Sequence, residues 1–204
     1  MTATTITPRT SALHSLQRGA LVAALALLAA AAVAKEPQTI RQHLMDDPDK
    51  SVTSVDVEPH HGEALDAVID TTIWQAEYSE AGDEGESLVF MAVHYGEVLR
   101  IARFDQPRAR DNFVRLLRDD FRVQSEAEAR QLVAATLDLY FGFPFSEPEL
   151  GVDEMRFESQ GNDYYLVDGE RFSDATGYHI TTDDEGRVTG YEYSWELPVA
   201  PPED

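Results

Sequence analysis

The period of the apolar residues changes twice along this chain, and that pattern narrows the fold more than any other feature. Thr72, Trp74, Ala76 and Tyr78 alternate with Ile73, Gln75 and Glu77, the period of two that puts successive side chains on opposite faces of a strand. Ala81-Gly82-Asp83-Glu84-Gly85 reads as a turn, Ser87 to His94 as a second strand, Tyr95-Gly96-Glu97 as a turn and Val98 to Phe104 as a third strand. The spacing therefore predicts a three-stranded meander over 71–104. It then becomes helical. Gln106-Pro107 marks a start, because proline's missing N–H is harmless in a first turn, and Phe113, Leu116, Leu117 and Phe121 fall on one side. Ser125-Glu126-Ala127-Glu128 is a capping box. Behind it Ala129, Leu132, Val133, Thr136, Leu137, Leu139 and Tyr140 form a broad apolar arc, closed by Gly142 and Pro144. After Met155 the period is two again, with turns at Gln160-Gly161-Asn162, Asp168-Gly169 and Asp183-Asp184-Glu185-Gly186. Strands, two helices and strands again describe an α+β protein. Antiparallel meander and hairpin strands are expected, with the two central helices packed on one face.

Upstream the pattern is weaker. Glu36-Pro37 can open a short helix through Ile40 and Leu44, broken by Asp46-Asp47-Pro48-Asp49. Ser51 to Val57 alternates as a short edge strand. Leu65, Val68 and Ile69 favour a short helix, although Val68 to Ile73 also has strand character. The expected organisation is a leader over 1–34, a weakly structured segment over 35–59, a single α+β domain over 60–197 and a proline-rich tail over 198–204.

The leader is read from charge. All 38 acidic residues of the 204 lie beyond position 34. Residues 1–34 carry Arg9 and Arg18, then an apolar run from Gly19 to Val33, then Ala32-Val33-Ala34 as a small-x-small cleavage pattern. This is the layout of a Sec-type signal peptide cut after Ala34, and the run is short for a bilayer span. A soluble periplasmic or secreted protein with no transmembrane anchor after cleavage is expected. Loss of Arg9 and Arg18 takes the net charge from −22 to −24. The chain has no Cys, so disulfides, thiolate chemistry, Cys-ligated metals and a lipid anchor at the cut are all excluded. Nucleic acid is an improbable partner for such a charge. The hydrophobic fraction of 43% argues for a folded core rather than disorder.

Chemistry is sparse. No Gly-x-Ser-x-Gly, Ser-x-x-Lys or phosphate-cradling glycine loop occurs, no cofactor is implied, and no catalytic residue is singled out. The best metal candidates are His60, His61 and Glu63 within His60-His61-Gly62-Glu63, without the His-Glu-x-x-His spacing of zinc hydrolases. The acidic turns lack the alternating pattern of a calcium loop. Arginine is more telling. Seven of the twelve arginines after residue 34 lie in 100–122. On a helical wheel Arg108, Arg115, Arg118 and Arg122 share one sector, with Asp111 among them. An anion-binding stripe and a solvated face neutralised by ion pairs are both compatible with that pattern. Phe141, Phe143 and Phe145 lie in a loop and are recognition candidates, or plug the end of a sheet. Tyr191, Tyr193 and Trp195 share a strand face and are expected to be core. The fragment from Asp183 to Tyr193 is similar to the hairpin turns of tyrosine–aspartate repeat proteins; one copy of turn chemistry carries no activity with it.

The dispersed acidity fits a high-salt environment, where charge is screened within about 3 Å at 1 M, better than one concentrated face for a basic partner. The expected function is an exported, non-enzymatic binding or interaction protein with a protein or envelope partner. The alternatives are a periplasmic hydrolase or metal-dependent enzyme using His60, His61 or Glu63, and an anionic small-ligand binder using the arginine stripe.

Overall fold

Among the described residues, two four-stranded antiparallel sheets and four helices form in the order α1 β1 α2 β2 β3 β4 α3 α4 β5 β6 β7 β8. They are described from a computed structural model covering residues 35–82, 85–101, 107–139, 151–168 and 176–194. The leader, the three-Phe loop, the Asp168-Gly169 turn, Trp195 and the tail lie wholly or partly outside the described residues. Residues 39–204 form one unit and 1–38 another; of the latter only 35–38, where α1 begins, are described.

Helix α1 (Glu36–Met45) buries Ile40 and Leu44, four residues apart on one face. Arg41 Nε donates to the Val55 carbonyl at 3.1 Å and so ties this helix to β1 (Val52–His60). That strand is at the sheet edge, as expected, and extends to His60. Exposed Asp56, Glu58 and Pro59 discourage further pairing along this edge. Strands β2 (Ile73–Glu80), β3 (Glu86–His94) and β4 (Glu97–Arg100) are the predicted meander. Val89, Phe90, Met91 and Ala92 are consecutive and all buried, so β3 is covered on both faces. The second sheet follows the order β5 (Arg156–Gln160), β6 (Asp163–Asp168), β7 (Thr176–Thr182), β8 (Val188–Ser194).

Helix α3 (Pro107–Leu116) lies against β4 and β8, one strand from each sheet. Buried Phe113 meets Tyr191 with ring centroids 5.8 Å apart, and Asn112 donates to the Arg100 carbonyl at 2.9 Å. The helix stops at Leu116 because the chain then pairs elsewhere: Leu117 bridges Ile69 and the Arg118 N–H donates to the Val68 carbonyl at 2.9 Å. Helix α4 (Glu126–Leu137) lies against α2 and β6. From Glu128 to its end at Leu137 none of its residues is fully exposed. Its capping box is rearranged. Ser125 makes no side-chain cap; its hydroxyl donates to Glu128 Oε2 at 3.0 Å, and that oxygen also accepts the Gln124 N–H at 2.7 Å. One carboxylate thus serves both groups. Near the far end Thr136 gives its only hydroxyl proton to the Val133 carbonyl, so Tyr191 donates to Thr136 at 2.7 Å. Tyr191 belongs to the core and half-buried Tyr193 packs against it, as their alternation suggests.

Helix α2 (Glu63–Val68) begins at Gly62, which has no side chain to cap it. The cap comes from α4 instead: the Leu65 N–H donates to Asp138 Oδ2 at 3.0 Å. A Cβ on Gly62 would lie 2.2 Å from that same oxygen, so the close approach requires glycine. Replacing Asp138 with Ala is expected to lower stability by about 0.5–2 kcal/mol, as loss of a helix N-cap does. Gly62→Ala should cost at least as much. The double variant should lose less than the two together, because both remove one cap. Urea unfolding of the four proteins tests this; strictly additive losses would refute the shared cap.

Candidate functional site

The arginines converge, but not as a helical stripe. With α3 ending at Leu116, Arg118 and Arg122 stand on the segment that links α3 to α4. Arg115, Arg118 and Arg122, together with Arg187, line a groove of about 380 Å³. Its remaining lining is Val114, Leu117, Asp119, Phe121 and Val188. Arg108 is exposed on α3 and does not line the groove. Arg187 arrives from the turn between β7 and β8, which is bound to the linker at two points. The Val123 N–H donates to the Gly186 carbonyl at 2.8 Å, and Gln124 Nε2 donates to the Glu185 carbonyl at 3.1 Å. Gly186 has φ +79°, and a Cβ there would meet Gln124 Cγ at 2.6 Å. Glycine is needed for both the turn and its seat.

Each guanidinium is oriented by a neighbour. Arg115 Nη2 donates to Glu97 Oε2 at 2.8 Å, Arg118 Nε to Asp120 Oδ1 at 3.2 Å, and Arg187 Nη2 lies 2.7 Å from Glu185 Oε2. Arg122 differs: Nη1 donates to the carbonyls of Asp119 and Phe121, both at 2.7 Å, and among the described residues it meets no carboxylate within ion-pair distance. A guanidinium has five N–H donors in a planar fork, so each of the four keeps donors beyond these bonds. Ion pairs this exposed are worth less than about 1 kcal/mol, so an incoming anion can exchange them.

The charges leave a mark on nearby acids. The hydrogen bond from Arg118, then its charge, holds the Asp120 carboxyl below its ordinary value of 3.8. Asp183 is lowered mainly by the Arg187 N–H, then by that of Glu185 and by the charges of Arg187 and Arg122, which outweigh partial desolvation. Its Oδ1 accepts both N–H groups at 2.9 Å and so shapes the turn that carries Arg187.

The histidine segment has a structural role. His60 Nε2 donates to the Asp138 carbonyl at 2.8 Å, and its ring lies 4.7 Å from that of Phe90. His61 is exposed, with Nδ1 3.5 Å from Asp66 Oδ2, and Glu63 is exposed. Among the described residues no three His, Asp or Glu side chains are grouped to hold a metal ion. Phe141, Phe143 and Phe145 lie outside the described residues.

Sequence reasoning missed a second polar cluster, on the second sheet. His179 Nε2 donates to Asp163 Oδ1 at 2.7 Å, Thr181 donates to the same oxygen at 3.3 Å, and the His179 ring stacks on Tyr165 at 4.6 Å. Arg110 reaches Glu192 at 3.5 Å from α3. Burial, then the Asp163 charge, raises the Tyr165 hydroxyl above its ordinary value. Register places Tyr165, His179 and Glu192 directly across neighbouring strands, and the cluster spends its hydrogen bonds joining them. Only cross-strand pairing reveals it.

No protein-family model, curated protein or solved structure matches the chain.

The Asp183 geometry fixes a pH dependence. Its folded value is below the unfolded one, so its stabilisation is complete above the unfolded value and is lost as pH falls through the folded value. An NMR titration of the Asp183 carboxyl should give a midpoint below 3.8, and it should stay below in high salt, which screens the arginines but not the two N–H bonds. A midpoint at or above the ordinary value would refute the assignment.

Proposed function

We propose that this protein is an exported, non-enzymatic binding protein of the cell envelope, and that it takes an anionic partner in the arginine groove. One observation carries the reading. On a chain of net charge −22, four arginines from three backbone segments line one concave, partly apolar groove. A local positive field on an acidic protein selects and orients an anion that the rest of the surface repels. The apolar residues between the arginines add the desolvated contact that makes such a site bind rather than merely attract. Export is inferred from the acid-free leader and its cleavage pattern. The competing metal-dependent enzyme would rest on His60, His61 and Glu63, and these support it poorly, since His60 is committed to Asp138 and His61 and Glu63 point to solvent.

Capture of envelope proteins by the immobilised chain should be saturable at about 0.1 M salt, where the Debye length is about 10 Å, and weaker at 1 M. Arg115→Glu combined with Arg118→Glu should abolish capture. The melting temperature should change little, because both side chains are about half exposed. Undiminished capture by the double variant would refute the groove as the binding site.

A further inference from the structure

Tyr95 is the largest exposed apolar side chain among the described residues, 97% accessible, and the sole non-glycine there with positive φ, +49°. It occupies the two-residue connection Tyr95-Gly96 between β3 and β4, where both φ values are positive. Asn-Gly and Asp-Gly serve such turns without strain, whereas a bulky residue there opposes its own backbone preference. Folding gains little from the choice, because the ring is almost wholly in water, where the His94 ring meets it edge-on at 4.3 Å. Glu97, two residues on, is the ion-pair partner of Arg115 in the groove wall. The strained aromatic therefore lies two residues along the chain from the carboxylate that holds a groove arginine.

We propose that Tyr95 and the arginine groove form one docking surface for an acidic peptide segment of a partner protein, with Tyr95 as its aromatic anchor. This rests on reading the groove as a binding site. The wall alternates charge with Val114, Leu117, Phe121 and Val188, which suits a chain bearing both carboxylates and apolar side chains. Asp119 stands among the arginines; it repels a compact dianion such as phosphate and offers an acceptor to a peptide N–H. The arginines already engage carboxylates, those of Glu97, Asp120 and Glu185, and an acidic segment replaces them in kind. Exposed aromatics beside arginine are the residue types that dominate protein interfaces.

The test is a random peptide library displayed on phage and panned against the purified protein, with selected peptides then synthesised and titrated. Enrichment of peptides combining Asp or Glu with an apolar residue is expected, with displacement by neither inorganic phosphate nor phosphatidylglycerol vesicles. Tyr95→Asn should raise the melting temperature by relieving the turn and still weaken binding about tenfold; Arg118→Glu with Arg187→Glu should weaken it more. Binding and stability thus move in opposite directions, which unfolding cannot imitate. If Tyr95→Asn leaves affinity unchanged while the arginine variant loses it, the anchor is refuted and the groove reading stands. If neither variant matters, both fall. Selection of neutral or basic peptides, displacement by phosphate or vesicles, or self-association that occupies the groove would each overturn the acidic-peptide assignment.

Discussion

Burial of α4 holds this fold together. A helix that buries residues on more than one side must find apolar neighbours in several directions at once, and here those neighbours come from both halves of the chain. Ala129, Leu132, Val133 and Ala135 join a core that also contains Leu65 and Val68 of α2, Phe90 and Met91 of β3, and Ile180 and Tyr191 of the second sheet. Each fully buried Leu or Phe contributes about 1.5–3 kcal/mol by leaving water, and without disulfides that burial is the main source of stability. The polar joints depend on it. Asp138 reaches the N-terminus of α2, and Thr136 accepts the Tyr191 hydroxyl, only because the helix is fixed between them.

The same packing creates the groove. Helix α3 spans a strand of each sheet and must then release the chain towards α4. The linker so formed is pinned to Val68 on one side and to the β7–β8 turn on the other. Three arginines close in sequence and one distant arginine meet as a by-product of these main-chain bonds. The positive groove is thus a feature of the joint between core elements, and its arginines are oriented by carboxylates and carbonyls that an incoming anion can replace. The high-salt reading of the dispersed acids and a local basic site are compatible, because short guanidinium contacts are screened less than longer-range fields.

Much of the architecture was legible in the residues. Alternation in 72–78 and the apolar run around Val89 and Phe90 read directly as strands, and the β1 edge was expected from the short alternation of Ser51 to Val57. Helix α4 followed from its apolar arc. Less legible were details fixed by competition for the same groups. Glu128 captured two donors, so Ser125 caps nothing, and α3 ended at Leu116, short of both Arg118 and Arg122, because Leu117 found a bridge partner. His60-His61-Gly62-Glu63 carries ligand-type residues, yet its glycine marks a close approach to Asp138, a signal that only a glycine preceding a short helix hints at.

By itself the sequence determined the α+β class, the two central helices and the meanders, because periodicity of burial is a local property that each segment carries with it. It also set the charge, the lack of cysteine and the clustering of arginine in 100–122. Only the tertiary structure decided which arginines share a wall, since that depends on where α3 ends and where the β7–β8 turn docks. Arg108 was left outside and Arg187 brought in by hydrogen bonds between segments more than sixty residues apart. The helical wheel treats a helix as endless; packing ends it where a better partner for the backbone appears.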